Sequence, residues 1–254
     1  DSIVGKPFLW INTKHEINAR NWDSFYSRNS KKLNQPYKEL CVESIVKHCG
    51  DSFQICLIDD SSFGKILDDW TICMDGLAEP IKDRVRTLAL SKILYTYGGM
   101  LVPNSTIAMK DLKELYNGKL TENDMFVGEL VNRGDSSTYS RFSPSHKFMG
   151  CKKNSSSMKN LEEYLEILIS KDNTDQPNFE ASINRHLYGL MSNGKCAIIC
   201  GKALGTKNKK DKVVLIDNWL EESPINLCMC SLHCIVLPGD EILARKKYQW
   251  FARL

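Results

Sequence analysis

Apolar positions fall in short runs, separated by amphipathic or polar stretches of very different length. Phe8 to Ile11 ("FLWI") is continuously apolar and predicts a buried strand. Asn12 to Lys38 is rich in Asn, Ser, Arg and Lys and reads as a long loop with short helical pieces. Leu40 to His48 carries apolar residues at helical spacing, closed by Gly50. Phe53 to Asp60 ("FQICLIDD") predicts a strand running into an acidic end, where Ser61 or Ser62 can cap a short helix. The clearest helix is Lys82 to Tyr97, with Val85, Leu88, Ala89, Ile93 and Leu94 on one face. Gly98 and Gly99 end it, because glycine tolerates the left-handed backbone of a helix C-terminus.

Met100 to Val102 predicts a strand entering a turn at Pro103, and Met125 to Val131 another. Gly134 to Ser145 is Ser-rich and reads as loop, followed by a strand over His146 to Lys152. Ser155 to Leu168 and Phe179 to Met191 are amphipathic helices. Late strands are expected at Ala197 to Cys200, Val213 to Asp217 and Cys228 to Leu237. The early alternation of strand and helix argues for an α/β fold with a mostly parallel central sheet flanked by helices. In such sheets the ligand crevice lies beyond the C-terminal strand ends. That rule places Asp59, Asp60, Pro103, Asn104 and Ser105 at one edge. We expect a single domain over residues 1–254; a boundary near Ser136 to Ser145 would divide it into halves, 1–134 and 135–254.

Composition narrows the function classes. With 34 basic and 31 acidic residues the formal charge is +3, which makes no case for nucleic acid or acidic lipid as a partner. The densest basic run, Lys207 to Lys212 ("KNKKDK"), reads as a solvated loop tip. No apolar stretch approaches the ~20 residues of a membrane span. No signal-peptide pattern is visible, and a segment removed ahead of Asp1 stays open. Several of the ten cysteines lie in apolar runs, where Cys behaves as a small hydrophobe; this favours free thiols in a reducing intracellular compartment, with disulfides as the alternative. Sequons at Asn104 and Asn154 matter only in a secretory compartment.

The block Leu90 to Leu112 ("LSKILYTYGGMLVPNSTIAMKDL") resembles the central block of glycosyltransferases with the DXD sugar-binding motif, which have the GT-A nucleotide-diphospho-sugar transferase fold. "FLWINT" and "FQICLIDD" resemble the first two strands of that fold. The resemblance covers roughly the first 115 residues and implies a nucleotide-sugar site around Trp10, Asp59, Asp60, Tyr97, Gly98, Gly99, Asn104 and Ser105. In the family, two aspartates hold a divalent Mn²⁺ or Mg²⁺ that offsets charge on the departing diphosphate. Aligned through Gly98-Gly99, those aspartates fall on Pro103 and Ser105, so the motif is degenerate and no metal cofactor is expected. The family's helical Asp and Arg fall on Thr87 and Leu90. Asp83 and Arg86 keep the spacing one turn earlier, and are weak catalytic candidates or else a surface ion pair. The "YGG-x-x-x-P-x-S" run and the Trp250 to Arg253 tail are similar to glycosyltransferase-like proteins of large double-stranded DNA viruses.

The resemblance implies a pseudoenzyme with a structural or assembly role, its partners being other protein subunits, among them viral structural proteins, and its place extending to the virion. The alternative is an active glycosyltransferase with a rearranged site, either metal-independent or using Mn²⁺ or Mg²⁺. There Lys14, Arg20, Arg28 or the Lys207 to Lys212 loop would hold the diphosphate of a nucleotide-sugar. A third reading is a carbohydrate- or nucleotide-binding module without turnover.

Three smaller constellations are open. "CMCSLHC", Cys228 to Cys234, offers Cys228, Cys230, His233 and Cys234 to zinc, or forms a buried strand with its three cysteines on one face. Gly239 to Glu241 supplies a base or a turn. Trp10, Trp22 and Trp70 are core, or stack on a base or sugar.

Overall fold

The computed structural model describes residues 5–13, 37–130, 143–171 and 176–245. Its main sheet is built from the apolar runs: β1 (Phe8–Asn12), β2 (Gln54–Ile58), β3 (Gly99–Val102), β5 (Met125–Glu129), β6 (Pro144–Cys151) and β7 (Ala197–Ile199). Their order is β2-β1-β3-β6-β5-β7. β1 runs parallel to β2 and β3, and β5 parallel to β7. β6 is antiparallel to both of its neighbours, β3 and β5, so the other five strands share one direction. A small second sheet pairs β4 (Thr106–Ala108) with β8 (Cys234–Val236), antiparallel.

The helices are α1 (Tyr37–Cys49), α2 (Phe63–Ile66), α3 (Ile81–Tyr97), α4 (Lys113–Leu120), α5 (Ser156–Ser170), α6 (Gln176–Ser192), α7 (Ile216–Leu220) and α8 (Gly239–Arg245). They explain why the strands read as unbroken apolar runs: both faces of the sheet are covered. Trp10, Leu101, Val127 and Met149 pack with Val85 and Leu88 of α3, Leu161 of α5 and Ile183 of α6. Their strand neighbours Leu9, Ile11, Met100, Val102 and Phe126 point the other way, packing with Ile45 of α1 and Leu115 of α4.

The junction of α3 and β3 requires glycine. Gly98 and Gly99 have φ of +71° and +98°. A Cβ on Gly99 would stand 2.3 Å from the Phe8 carbonyl oxygen, and one on Gly98 2.7 Å from the Lys153 nitrogen. The pair lets β3 close against β1 while the chain passes the start of α5.

β4 and α4 have no counterpart in the sequence pattern, and four further regions differ from expectation. α3 buries more than one face: Arg84, Arg86, Thr87 and Ser91 are buried with the apolar stripe. The Thr87 and Ser91 hydroxyls donate to the carbonyls four residues back, which makes this burial tolerable. Val213 to Asp217 is not a strand but leads into α7. Cys228 to Leu237 contributes only the three residues of β8, since its partner β4 is no longer. Gly239 to Glu241 opens α8 rather than forming a turn. No helix among the described residues is long and apolar enough to cross a membrane.

Candidate functional site

The five co-directional strands bring their C-terminal ends to one edge. Asn12 ends β1, Asp59 and Asp60 follow β2, Pro103 to Ser105 follow β3, and Glu129 ends β5. α3 runs back against β3, so its first turns lie at this edge too.

Asp59 organises the exit from β2. Its carboxylate accepts from the hydroxyls of Ser61 and Ser62 at 2.7 and 2.8 Å, and its N–H donates to the Ser62 hydroxyl at 3.2 Å. Asp59 thus caps the 3-10 turn Asp60–Ser62 with the serines as its donors, and Ser62 holds the N-cap position of α2 without a side-chain cap bond. Those two hydroxyls hold the Asp59 carboxyl below its ordinary value.

Asp60 turns the other way, onto α3. Arg86 donates from Nε to Asp60 Oδ1 at 2.6 Å and from Nη2 to Oδ2 at 2.8 Å. Its Nη1 reaches Asp83 Oδ1 at 2.7 Å, with Glu79 at 3.7 Å. Asp83 and Arg86 are thus not a surface ion pair. Arg86 is 4% exposed, and three carboxylates surround it. Burial alone would pull the guanidinium down; Asp60, Asp83 and Glu79 raise it instead. The expectation missed Asp60 as the main partner because 26 residues separate it from Arg86.

The segment after β3, Pro103 to Ser105, is held by internal hydrogen bonds. Ser105 is 3% exposed. Its hydroxyl donates to the Leu237 carbonyl at 2.8 Å, and its own carbonyl accepts the Leu237 N–H at 3.0 Å. Both bonds tie the end of β3 to the residue after β8. Pro103 accepts from the Thr106 N–H at 3.1 Å, and Asn104 is half-buried beside it.

Two features of this edge escaped the sequence reading. Glu129 is buried at the end of β5, where it takes the Lys207 ammonium and the Gly201 N–H, the latter at 2.8 Å. Lys207 therefore does not belong to the solvated tip, which begins at Lys209. A Glu inside the apolar run "MFVGELV" was the available signal that a cation had to reach it. His146 of β6 lies near Asp83, Lys147 and Asp240; burial pushes its imidazolium down to about 4. Lys147 bonds Asp240 at 2.6 Å and stands 3.8 Å from Glu180.

Trp10, Tyr97, Gly98 and Gly99 sit at the other end of β3. Trp10 is 4% exposed, lies 5.0 Å from the Phe8 ring in a stack, and donates Nε1–H to the Gly98 carbonyl at 3.0 Å. Tyr97 packs against both rings and donates its hydroxyl to the Ile66 carbonyl at 2.6 Å. The sequence candidates thus divide into two places: Asp59, Asp60, Asp83, Arg86, Asn104 and Ser105 at the crevice edge, and this aromatic-glycine group in the core. Trp70 borders a cleft of about 240 Å³ with Asp60, Ser61, Thr71 and Asp75. Lys14, Arg20, Trp22 and Arg28 lie outside the described residues.

Among the described residues, no three His, Cys, Asp or Glu side chains gather to hold a metal ion. Cys228 and Cys230 lie in a turn rather than on a strand face, Cys234 is buried in β8, and His233 Nδ1 is 2.9 Å from the Ser231 carbonyl oxygen.

No protein-family model and no curated protein matches the sequence. The fold is similar to solved glycosyltransferases. GlyE of Streptococcus pneumoniae TIGR4 is 12% identical with a TM-score of 0.44, over 78% of this chain and 46% of its own, so the chain spans less than half the length of that enzyme. A glycosyltransferase involved in glycosylation of the major capsid of PBCV-1 is 10% identical with a TM-score of 0.48, over 98% of this chain and 100% of its own. The galactosyltransferase LgtC, solved with donor and acceptor sugar analogues, is 9% identical with a TM-score of 0.43, over 97% and 95%.

Proposed function

We propose that this protein is a glycosyltransferase-like scaffold whose metal-dependent transfer chemistry has been replaced by internal polar contacts. In this reading it serves a structural or assembly role. The observation that carries it is the closed set Asp60–Arg86–Asp83. A metal-dependent site needs carboxylate oxygens free to face a cation. Asp60 spends both of its oxygens and Asp83 its Oδ1 on a buried guanidinium, and Pro103 and Ser105 bring none. Ser105 is also committed to Leu237 in both directions. What supports the wider role, with protein subunits as partners and the virion as one setting, is the sequence resemblance to virally encoded glycosyltransferase-like chains.

The test is calorimetric titration of the full chain with UDP, UDP-glucose and GDP-mannose, each with and without Mn²⁺. The scaffold reading expects no heat of binding under any condition. Micromolar binding that depends on Mn²⁺ overturns it. Binding of equal strength with and without Mn²⁺ overturns it in favour of a metal-independent transferase or a binding module, which sugar-transfer assays then separate.

A further inference from the structure

The turn ahead of β8 holds two thiols together. Cys228 Sγ and Cys230 Sγ are 3.3 Å apart. Bonded sulfurs are about 2.05 Å apart, so closure into a disulfide requires an approach of roughly 1.2 Å. The N–H groups of Ser231 and Leu232 both donate to the Cys228 carbonyl, at 3.1 and 3.0 Å, which closes a turn over Cys228 to Leu232 and fixes the backbone that carries both thiols.

The surroundings suit exchange chemistry. Cys230 is exposed, Cys228 is half-buried, and Met229 between them is 60% exposed. Hydrogen bonds from Ser231 and Cys230, together with Lys209, hold the Cys228 thiol below its ordinary value. The Lys202 ammonium is also within electrostatic reach of Cys228. The buried cysteines are the opposite case: burial pushes Cys41 up to about 11 and Cys196 to about 12, and raises Cys151 and Cys234 further.

We infer that Cys228 and Cys230 form a reversible dithiol–disulfide couple that exchanges two electrons with a small disulfide of the oxidised-glutathione class. The Cys228 thiolate attacks one glutathione sulfur; the glutathione S–S bond breaks and one glutathione thiolate leaves. Cys230, deprotonated, then attacks Cys228 Sγ. The mixed disulfide breaks, the second glutathione leaves, and the Cys228–Cys230 bond forms. Two protein thiols are oxidised, one disulfide is reduced to two glutathiones, and the two protons pass to them.

Equilibration of the reduced full chain in glutathione buffers of rising oxidised fraction, followed by acid quench, alkylation and peptide mass analysis, tests this. The expected result is a peptide spanning residues 228–230 that loses two hydrogens and escapes alkylation, while the exposed Cys73 and Cys200 are still alkylated or carry glutathione. The variant Cys230→Ser should stop at a glutathione adduct on Cys228. Two results overturn the inference: both thiols alkylated at every buffer ratio, or each carrying its own glutathione without closure. Neither depends on nucleotide-sugar binding, so failure here is distinct from failure of the scaffold reading.

Discussion

Arg86 and Asp60 meet through two parallel hydrogen bonds, Nε to Oδ1 at 2.6 Å and Nη2 to Oδ2 at 2.8 Å. This fork fixes α3 against the end of β2, and it explains how a buried cation on this helix is tolerated. Removing one partner of a buried pair costs about 3–5 kcal/mol when the remaining charge stays dry. Here the carboxylates are the wetter side, with Asp60 19% and Asp83 29% exposed against 5% for the Arg86 side chain. Asp60→Ala leaves the buried cation with only Asp83 and Glu79, and we expect it to cost about 3 kcal/mol. Asp83→Ala, at the wetter contact, should cost about 1 kcal/mol or less. Urea unfolding of the two variants checks the ranking. Equal costs would mean that Asp60 is not the dominant partner.

Carboxylates placed after β3 test the proposed reading position by position. Ser105 is buried and bonded twice to Leu237, so Ser105→Asp forces a carboxylate into a site shaped for a hydroxyl. We expect a loss of about 2–3 kcal/mol, against about 1 kcal/mol for Ser105→Ala. Pro103 is half-buried in the turn, and Pro103→Asp should stay within about 1 kcal/mol of the parent. Thermal unfolding of the three variants measures this. A fully tolerated Ser105→Asp would mean that the segment keeps room for a metal-ligating side chain.

The strands and long helices were legible because apolar runs and helical spacing are local signals. β1, β3 and β5 and helices α3 and α5 fall where the pattern puts them, within a few residues. Three of the failures share one cause, which is a partner distant in sequence. β8 stops at three residues because β4 is short, and no property of Cys228 to Leu237 reveals that. Arg86 looked like half of a surface pair because Asp83 is its sequence neighbour, while Asp60 arrives from the turn after β2. Lys207 looked solvated among other lysines, yet Glu129 claims it from 78 residues away. The shared edge of the strand ends was legible, and the ion-pair wiring along it was not.

The aromatic-glycine group at the other end of β3 should behave as core. Trp10→Phe keeps an aromatic ring but loses part of the indole's packing and leaves the Gly98 carbonyl without its 3.0 Å donor, which together cost about 2 kcal/mol. Gly99→Ala sets a methyl 2.3 Å from the Phe8 carbonyl oxygen at a φ of +98°, so β1 and β3 must part. Its cost should exceed that of Trp10→Phe and reach about 3 kcal/mol or more. Denaturant midpoints decide. A Gly99→Ala protein as stable as the parent would contradict the close approach of the two strands.

His146 gives the fold a pH dependence of known sign. Its Nδ1 is buried without a hydrogen-bond partner among the described residues, and burial, with help from Lys147, lowers its pKa to about 4 against the opposing pull of Asp83 and Asp240. The unfolded chain protonates this imidazole near the ordinary value of about 6.5. Above that pH both states are neutral, and the group contributes no slope. As pH falls through about 6.5 the unfolded state gains a proton that the folded state refuses, so stability declines until about 4 is reached and both states are charged. His186, also lowered by burial, adds a decline in the same direction, so the parent must be compared with a His146 variant rather than read alone. His146→Gln keeps a polar side chain and removes the titration. Its urea midpoint should fall less than the parent's between neutral pH and pH about 5, with the two curves parallel above pH about 7. Parallel curves across the whole range would show that the His146 imidazole takes up its proton as readily in the folded chain as in the unfolded one.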